Sequence, residues 1–313
     1  MQSMPSYLQR PEQQFFALPY TITKAQMLGL VFQADPQILA RHFVDPLFNA
    51  ATTPGRFQVE LDGRFVVGQI RYPLLTHSDP HFGGFSYNES VIYLALRDTG
   101  PAPGTPEHYW FTPVMVLDSF LPLIAGREIF GFPKILGEIN SNPTTLANLF
   151  TTPRGSGTVA VQGFATTSKQ ELAALQKLWS WRVTGGGPLV EELAAKAVEW
   201  VLATHLPNPL GLLDAVRSRL LRFVGRLDPG LFLKEFPAAS KPTLACYGSL
   251  VRSSFAPTAV HRLVALTAEA SFEAPASFPL ATQLGFTPGT TQAAELAFLA
   301  EMDWQIPAGE EFR

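Results

Sequence analysis

Lys134 stands in GREIFGFPKIL (126–136), behind Phe130, Gly131, Phe132 and Pro133 and ahead of Ile135 and Leu136. An ammonium strongly prefers water, so this company raises a chemical question. An apolar pocket disfavours the charged form of an amine and frees its lone pair to attack a carbonyl carbon. The other reading is a lysine that snorkels to solvent from a turn set by Gly131 and Pro133. Glu89, in YNES (87–90) ahead of the apolar run SVIYLAL, is either a proton shuttle facing such an amine or an exposed carboxylate at a strand end. Beside Lys134 it would titrate with it as a pair. Arg127 and Glu128 are either pocket residues or an ion pair that braces the turn.

The remaining polar groups carry less chemistry. His77, Asp79 and His81 in THSDPHFGG offer three potential ligands, yet the Gly, Pro and Ser around them read as a solvated loop leading into YNES, so no metal is expected. TGGGP (184–188) lacks the Lys-Ser/Thr tail of a phosphate loop and reads as a turn. The lone Cys246 excludes an internal disulfide and any cysteine-rich metal or iron–sulfur site, and its apolar surroundings suggest an inert core thiol.

Short apolar or alternating runs cut by turn residues must position these groups. MLGLVFQA, RFVVGQIRY, SVIYLALR, YWFTPVMVLD and TVAVQGFATT read as mostly antiparallel sheet from about residue 20 to 166. One early helix interrupts them over ADPQILARHFVD (34–45), with Asp35 as N-cap and Pro36 in first position. Ser168 to Glu171 forms a capping box, and Leu172, Leu175 and Trp179 follow at helical spacing. Two more helices, after Pro188 and after Pro207/Pro209, complete a helical insertion over about 168–228. The last of these is amphipathic, with Arg219, Arg222 and Arg226 opposite Leu213, Val216 and Leu220. Strands return in LFLKEF, TLACYGSLV and AVHRLVALTAEASFE, and AAELAFLAEMDWQI is expected to form a closing helix that runs into a strand or coil. Residues 1–19 read as a polar arm and 20–313 as a single domain.

GREIFGFPK, followed by Leu136 and Gly137, resembles the signature of the acetoacetate decarboxylase family, in which G-R-E precedes P-K-K-L-G with a Schiff-base lysine. The strand Met115 to Asp118 and the segment YNES resemble that family's strand before G-R-E and its Y-x-E-S segment, in the same order. LFLKEFP (231–237) and ACYGSLV (245–251) resemble its later strands. The resemblance implies Lys134 and Glu89 as catalytic residues, with Tyr87, Met115, Arg127 and Phe132 as pocket candidates. It also implies an α+β fold around a largely antiparallel, cone-like β-barrel with flanking helices, usually a homo-oligomer, acting without a cofactor. Two features depart from the family. Ile135 replaces its second lysine, so desolvation must do most of any activation. Lys24-Ala25 stands where the family has an arginine in its first strand, which removes a partner for a substrate carboxylate.

Composition fits this reading. The 313 residues are 46% hydrophobic and only 16% charged, which supplies a sizeable core and suggests surface hidden by self-association. A net charge of −3 and the lack of a Lys/Arg run argue against nucleic acid. No apolar run reaches the ~18 residues of a membrane span, and the first twenty residues lack a signal-peptide pattern, so a cytoplasmic protein is expected; the resemblance implies a small keto acid as its substrate. Three outcomes stay open: decarboxylation of a 3-oxo acid through a Lys134 imine, condensation of a 2-oxo acid such as pyruvate with an aldehyde followed by loss of water, or a binding or assembly module with an unreactive lysine.

Overall fold

The computed structural model describes residues 18–78, 83–101, 107–164, 172–186, 229–239, 241–254 and 257–312. Among the described residues the alternating runs of the sequence form fourteen strands. In the first half these are β1 (Tyr20–Gln33), β2 (Phe57–Val59), β3 (Arg64–His77), β4 (Gly84–Asp98), β5 (His108–Leu117), β6 (Lys134–Asn142) and β7 (Gly155–Phe164). The second half supplies β8 (Leu172–Gly186), β9 (Gly230–Ala238), β10 (Lys241–Ser253), β11 (Pro257–Phe272), β12 (Thr291–Ala293), β13 (Leu296–Ile306) and β14 (Glu310–Phe312). Nine of them, in the order β5-β6-β7-β8-β11-β13-β1-β3-β4, close on themselves because β4 also pairs with β5. The result is an α+β fold built on a closed, largely antiparallel barrel. Strands β9, β10 and β14 extend from β5 as a side layer.

Every pairing within the ring is antiparallel except β5 with β6. Parallel neighbours cannot be joined by a tight hairpin and need a crossover. Here the crossover is the segment between Leu117 and Lys134, a short helix (Phe120–Ala125) running into a π-helical turn (Gly126–Phe130). The GREIF stretch is therefore the connection that brings the chain back beside β5, and Lys134 is the first residue it delivers into β6. The turn ends at Gly131 with φ of +74°, which a side chain would strain, and the chain then re-enters the sheet.

Strand residues divide by parity between two apolar clusters, as a pleated sheet requires. Leu28, Phe65, Leu94, Val116, Trp179 and Leu299 belong to one. Met27, Val66, Val91, Met115 and Phe298 belong to the other, which Phe130, Phe132, Phe232 and Val251 cover. The early helix forms as the sequence predicts: Asp35 accepts a bond from the Gln37 amide at 2.8 Å, Pro36 takes the first position, and the helix widens to π geometry over Ala40–Asn49, which contains Pro46.

Two expected helices are strands. Residues 172–186, read as the start of the helical insertion, are β8, paired with β7 and β11. Trp179, Trp181 and Val183 are buried and alternate with exposed Arg182 and Thr184, while Leu175, which completed the helical spacing, is 47% exposed. The expected closing helix is β13, held between β1 and β11 with apolar residues on both faces. A strand covered on both faces reads as a continuous apolar run, and the helical period fits it by coincidence. Cys246 is exposed rather than buried in the core, its thiol donating to the Phe236 carbonyl at 3.3 Å. The two later insertion helices (188–228), the arm up to residue 17, Asp79 and His81 lie outside the described residues.

Gly131→Ala should lower stability by about 1–2 kcal/mol for the left-handed backbone alone, with more from a Cβ that would lie 2.7 Å from Lys234 Cα. Chemical denaturation measures it; an unchanged midpoint would show that the turn relaxes freely.

Candidate active site

Lys134 pairs with Met115 across the parallel seam, and the same row runs on through Val91, Gly68, Gly29 and Phe298. Residues in one row share a face. Glycine at positions 68 and 29 removes two side chains from that face. A Cβ on Gly29 would lie 2.2 Å from Phe298 Cζ, so the Phe298 ring occupies the space a side chain would fill. On the same face is a cavity of ≈ 100 Å³ that Lys134 and Glu89 both line.

Parity places Glu89 two residues from Val91 on the same face of β4. Its Oε2 lies 3.1 Å from Lys134 Nζ, and the two side chains are only 5% and 6% exposed. The contact is one of charge rather than a directed hydrogen bond, since Oε2 has no aligned donor among the described residues. The other oxygen, Oε1, accepts from the Tyr72 hydroxyl at 3.3 Å. Tyr72 stacks on Tyr87, ring centroids 4.5 Å apart, because the two pair across β3 and β4.

Aromatic faces enclose the amine. Nζ lies 5.6 Å from the Tyr87 ring centre and 5.4 Å from that of Phe132, within reach of a ring quadrupole. Phe132 is held between Phe130, stacked at 4.8 Å, and Phe232 at 4.4 Å. Burial first, then the negative charge of Glu89, pushes the phenols of Tyr72, Tyr87 and Tyr93 up from the ordinary tyrosine value. They are neutral hydrogen-bonding groups at any physiological pH.

The structure brings Lys134, Glu89, Tyr87, Met115 and Phe132 around one cavity. Arg127 is different: it sits exposed on the π-helical turn, away from the cavity, as does Glu128. The turn must present one side to Lys134, and that side is taken by Gly126, which leaves the next residues facing solvent. His77 is buried at the end of β3, and no group of three metal-ligating side chains occurs among the described residues. Sequence reasoning missed Tyr72, Tyr93, Trp110, Phe298 and Trp304, which also line the cavity. Tyr72 was within reach, because alternation in RFVVGQIRY puts Val66, Gly68, Ile70 and Tyr72 on one face. Trp304 was hidden by the helical reading of its segment.

The family model for acetoacetate decarboxylase (ADC) matches residues 3–183. No curated protein matches the chain. Among solved structures, the acetoacetate decarboxylase of Legionella pneumophila is similar, with a TM-score of 0.63 and 17% identity over 100% of this chain and 93% of that one. An acetoacetate decarboxylase-like enzyme from Sphingomonas wittichii RW1 has a TM-score of 0.58 at 15% identity, with 99% of each chain covered. The enduracididine biosynthesis enzyme MppR, solved in complex with pyruvate, has a TM-score of 0.58 at 14% identity over 96% of this chain and 93% of that one. At these identities the structural likeness establishes the fold. No helix among the described residues is long and apolar enough to cross a membrane.

Gly126→Ala tests the fit of the lysine. The position is helical, with φ −65° and ψ −41°, so alanine suits the backbone. Its Cβ would lie 2.7 Å from both Cδ and Cε of Lys134 and push the amine from its place. The melting temperature should hold while the rate at which a carbonyl probe labels the Lys134 amine falls on the order of 10²-fold. Retention of both would show that the lysine needs no fixed position.

Proposed function

The chain belongs to the acetoacetate decarboxylase family, and from that premise we propose that it is a carbon–carbon lyase that decarboxylates a 3-oxo acid through an imine on Lys134. The observation that carries this reading is the burial of Nζ 3.1 Å from the Glu89 carboxylate in a cavity lined mainly by apolar and aromatic side chains. An amine in that position can pass its proton to a neighbour and attack a ketone; a lysine kept for solubility has no reason to be there.

The steps need only groups of this chain. Neutral Nζ adds to the keto carbon, and the carbinolamine loses water to give a protonated imine. The bond to the carboxylate then breaks, and its electron pair moves into the iminium to leave an enamine and carbon dioxide. Protonation at carbon and hydrolysis of the imine release the ketone and restore the lysine. Glu89 is the group placed to carry protons between Nζ, the carbinolamine oxygen and the enamine carbon, and Tyr72 holds its other oxygen in position. Phe132 and Tyr87 exclude water around the imine.

Decarboxylation is favoured over condensation of a 2-oxo acid by the charge of the lining. Among the described residues no cation other than Lys134 lines the cavity. A condensing enzyme must hold a substrate carboxylate through its whole cycle. A decarboxylase gains by leaving it without a countercharge, because the charge is lost as carbon dioxide departs.

Incubation with acetoacetate or pyruvate, reduction by borohydride and peptide mass spectrometry test the proposal. Lys134 should carry the reduced adduct, Lys134→Ala should carry none, and acetoacetate should turn over to acetone. Glu89→Gln should lower kcat by roughly 10²–10⁴-fold. Labelling elsewhere than Lys134 would contradict the assignment, and pyruvate adducts that react on with aldehydes would favour condensation.

A further inference from the structure

The cavity is a slot along two strands rather than a pit at Lys134. One wall is β4, where Glu89 and Tyr93 both line it four residues apart. Another is β5, where Met115 and Trp110 do so five residues apart. At about 3.3 Å per residue the backbones of Tyr93 and Trp110 lie roughly 13–17 Å along the strands from those of Glu89 and Met115, and the Tyr93 ring leans back over Gly68 towards the row of Lys134. Tyr93 and Trp110 meet edge to face at the far end of the slot, ring centroids 6.4 Å apart. Both are half-buried, whereas Lys134 and Glu89 are buried, so the slot opens to solvent at the Tyr93 and Trp110 end.

Between the two ends the lining is apolar except for Thr112 of β5. Val66, which pairs with Tyr93, and Met27 and Phe298 face the slot, and no charged side chain other than Lys134 and Glu89 lines it among the described residues. Phe298 fills the space beside Gly29, Val91, Tyr93 and Met27 fill that beside Gly68, and the volume of ≈ 100 Å³ keeps the passage narrow. A short keto acid seated at Lys134 would leave most of this apolar length to water.

We infer that the substrates are 3-oxo acids bearing an elongated apolar substituent, alkyl or flat aryl, whose keto carbon meets Lys134 while the substituent lies along β4 and β5 towards Tyr93 and Trp110. This rests on the imine reading of Lys134. The carboxylate, on the other side of the keto carbon, points to the closed end, where Tyr72 and Trp304 lie; the Trp304 indole N–H is buried there without an acceptor among the described residues.

The test is competition between 3-oxooctanoate and acetoacetate for borohydride-trapped label on Lys134, read as a ratio of adduct masses. Each methylene moved from water into an apolar slot strengthens binding about fourfold, so 3-oxooctanoate should win by tenfold or more. Val66→Trp, which fills the slot, and Trp110→Ala, which removes its outer wall from a half-exposed position, should each lower the ratio. Equal labelling by the two acids, or a ratio that neither variant changes, would overturn the slot while leaving the imine reading intact. Labelling of Lys134 by neither acid would overturn both.

Discussion

Two opposite charges are held 3.1 Å apart under aromatic rings, and the rest of the structure is arranged to make that tolerable. Burying a lone ammonium or carboxylate is costly, and removing one partner from a buried pair leaves the other uncompensated, at about 3–5 kcal/mol. The pair persists because each charge is the other's main compensation, because Tyr72 donates to Glu89, and because the Tyr87 and Phe132 faces meet the ammonium. It is also a chemically poised arrangement. A proton moved from nitrogen to oxygen turns an ion pair into a free amine beside an acid, the combination that imine formation uses.

Topology explains why the two groups meet. Glu89 lies within a strand, but Lys134 begins one, immediately after the crossover that the single parallel seam of the ring demands. The helix and π-helical turn of that crossover pass over the start of β6, and Gly126 leaves room there for the lysine stem. The glycine and phenylalanine residues around Lys134 thus have separate tasks. Gly126 gives space, Gly131 reverses the chain, and Phe130 with Phe132 forms a lid against Phe232.

Much of the site was legible in the sequence because it is local. GREIFGFPK, YNES and Met115 are each short and contiguous, and parity along β4 and β5 carries Tyr87, Glu89 and Met115 to the cavity. What was not legible comes from distant segments. Phe298 and Trp304 approach from β13, whose apolar faces imitate a helix, and Trp110 and Tyr93 matter only once β4 and β5 are seen as walls of one slot. Arg127 shows the reverse case: it adjoins the motif in sequence, yet the turn directs it to solvent. In β8 apolar residues at helical spacing lost to pairing with β7 and β11, since each Trp179, Trp181 and Val183 side chain buried in a sheet outweighs the propensity of the isolated segment.

The central claim is that a ketone becomes an imine of Lys134 during turnover, and oxygen exchange tests it most directly. An imine requires loss of the substrate's keto oxygen and its replacement from water when the product is hydrolysed. A single turnover of a 3-oxo acid in ¹⁸O-labelled water, analysed before spontaneous exchange, should therefore place one solvent oxygen in every product ketone. Product that keeps the original keto oxygen would contradict the account, because carbon dioxide would then have left without an imine.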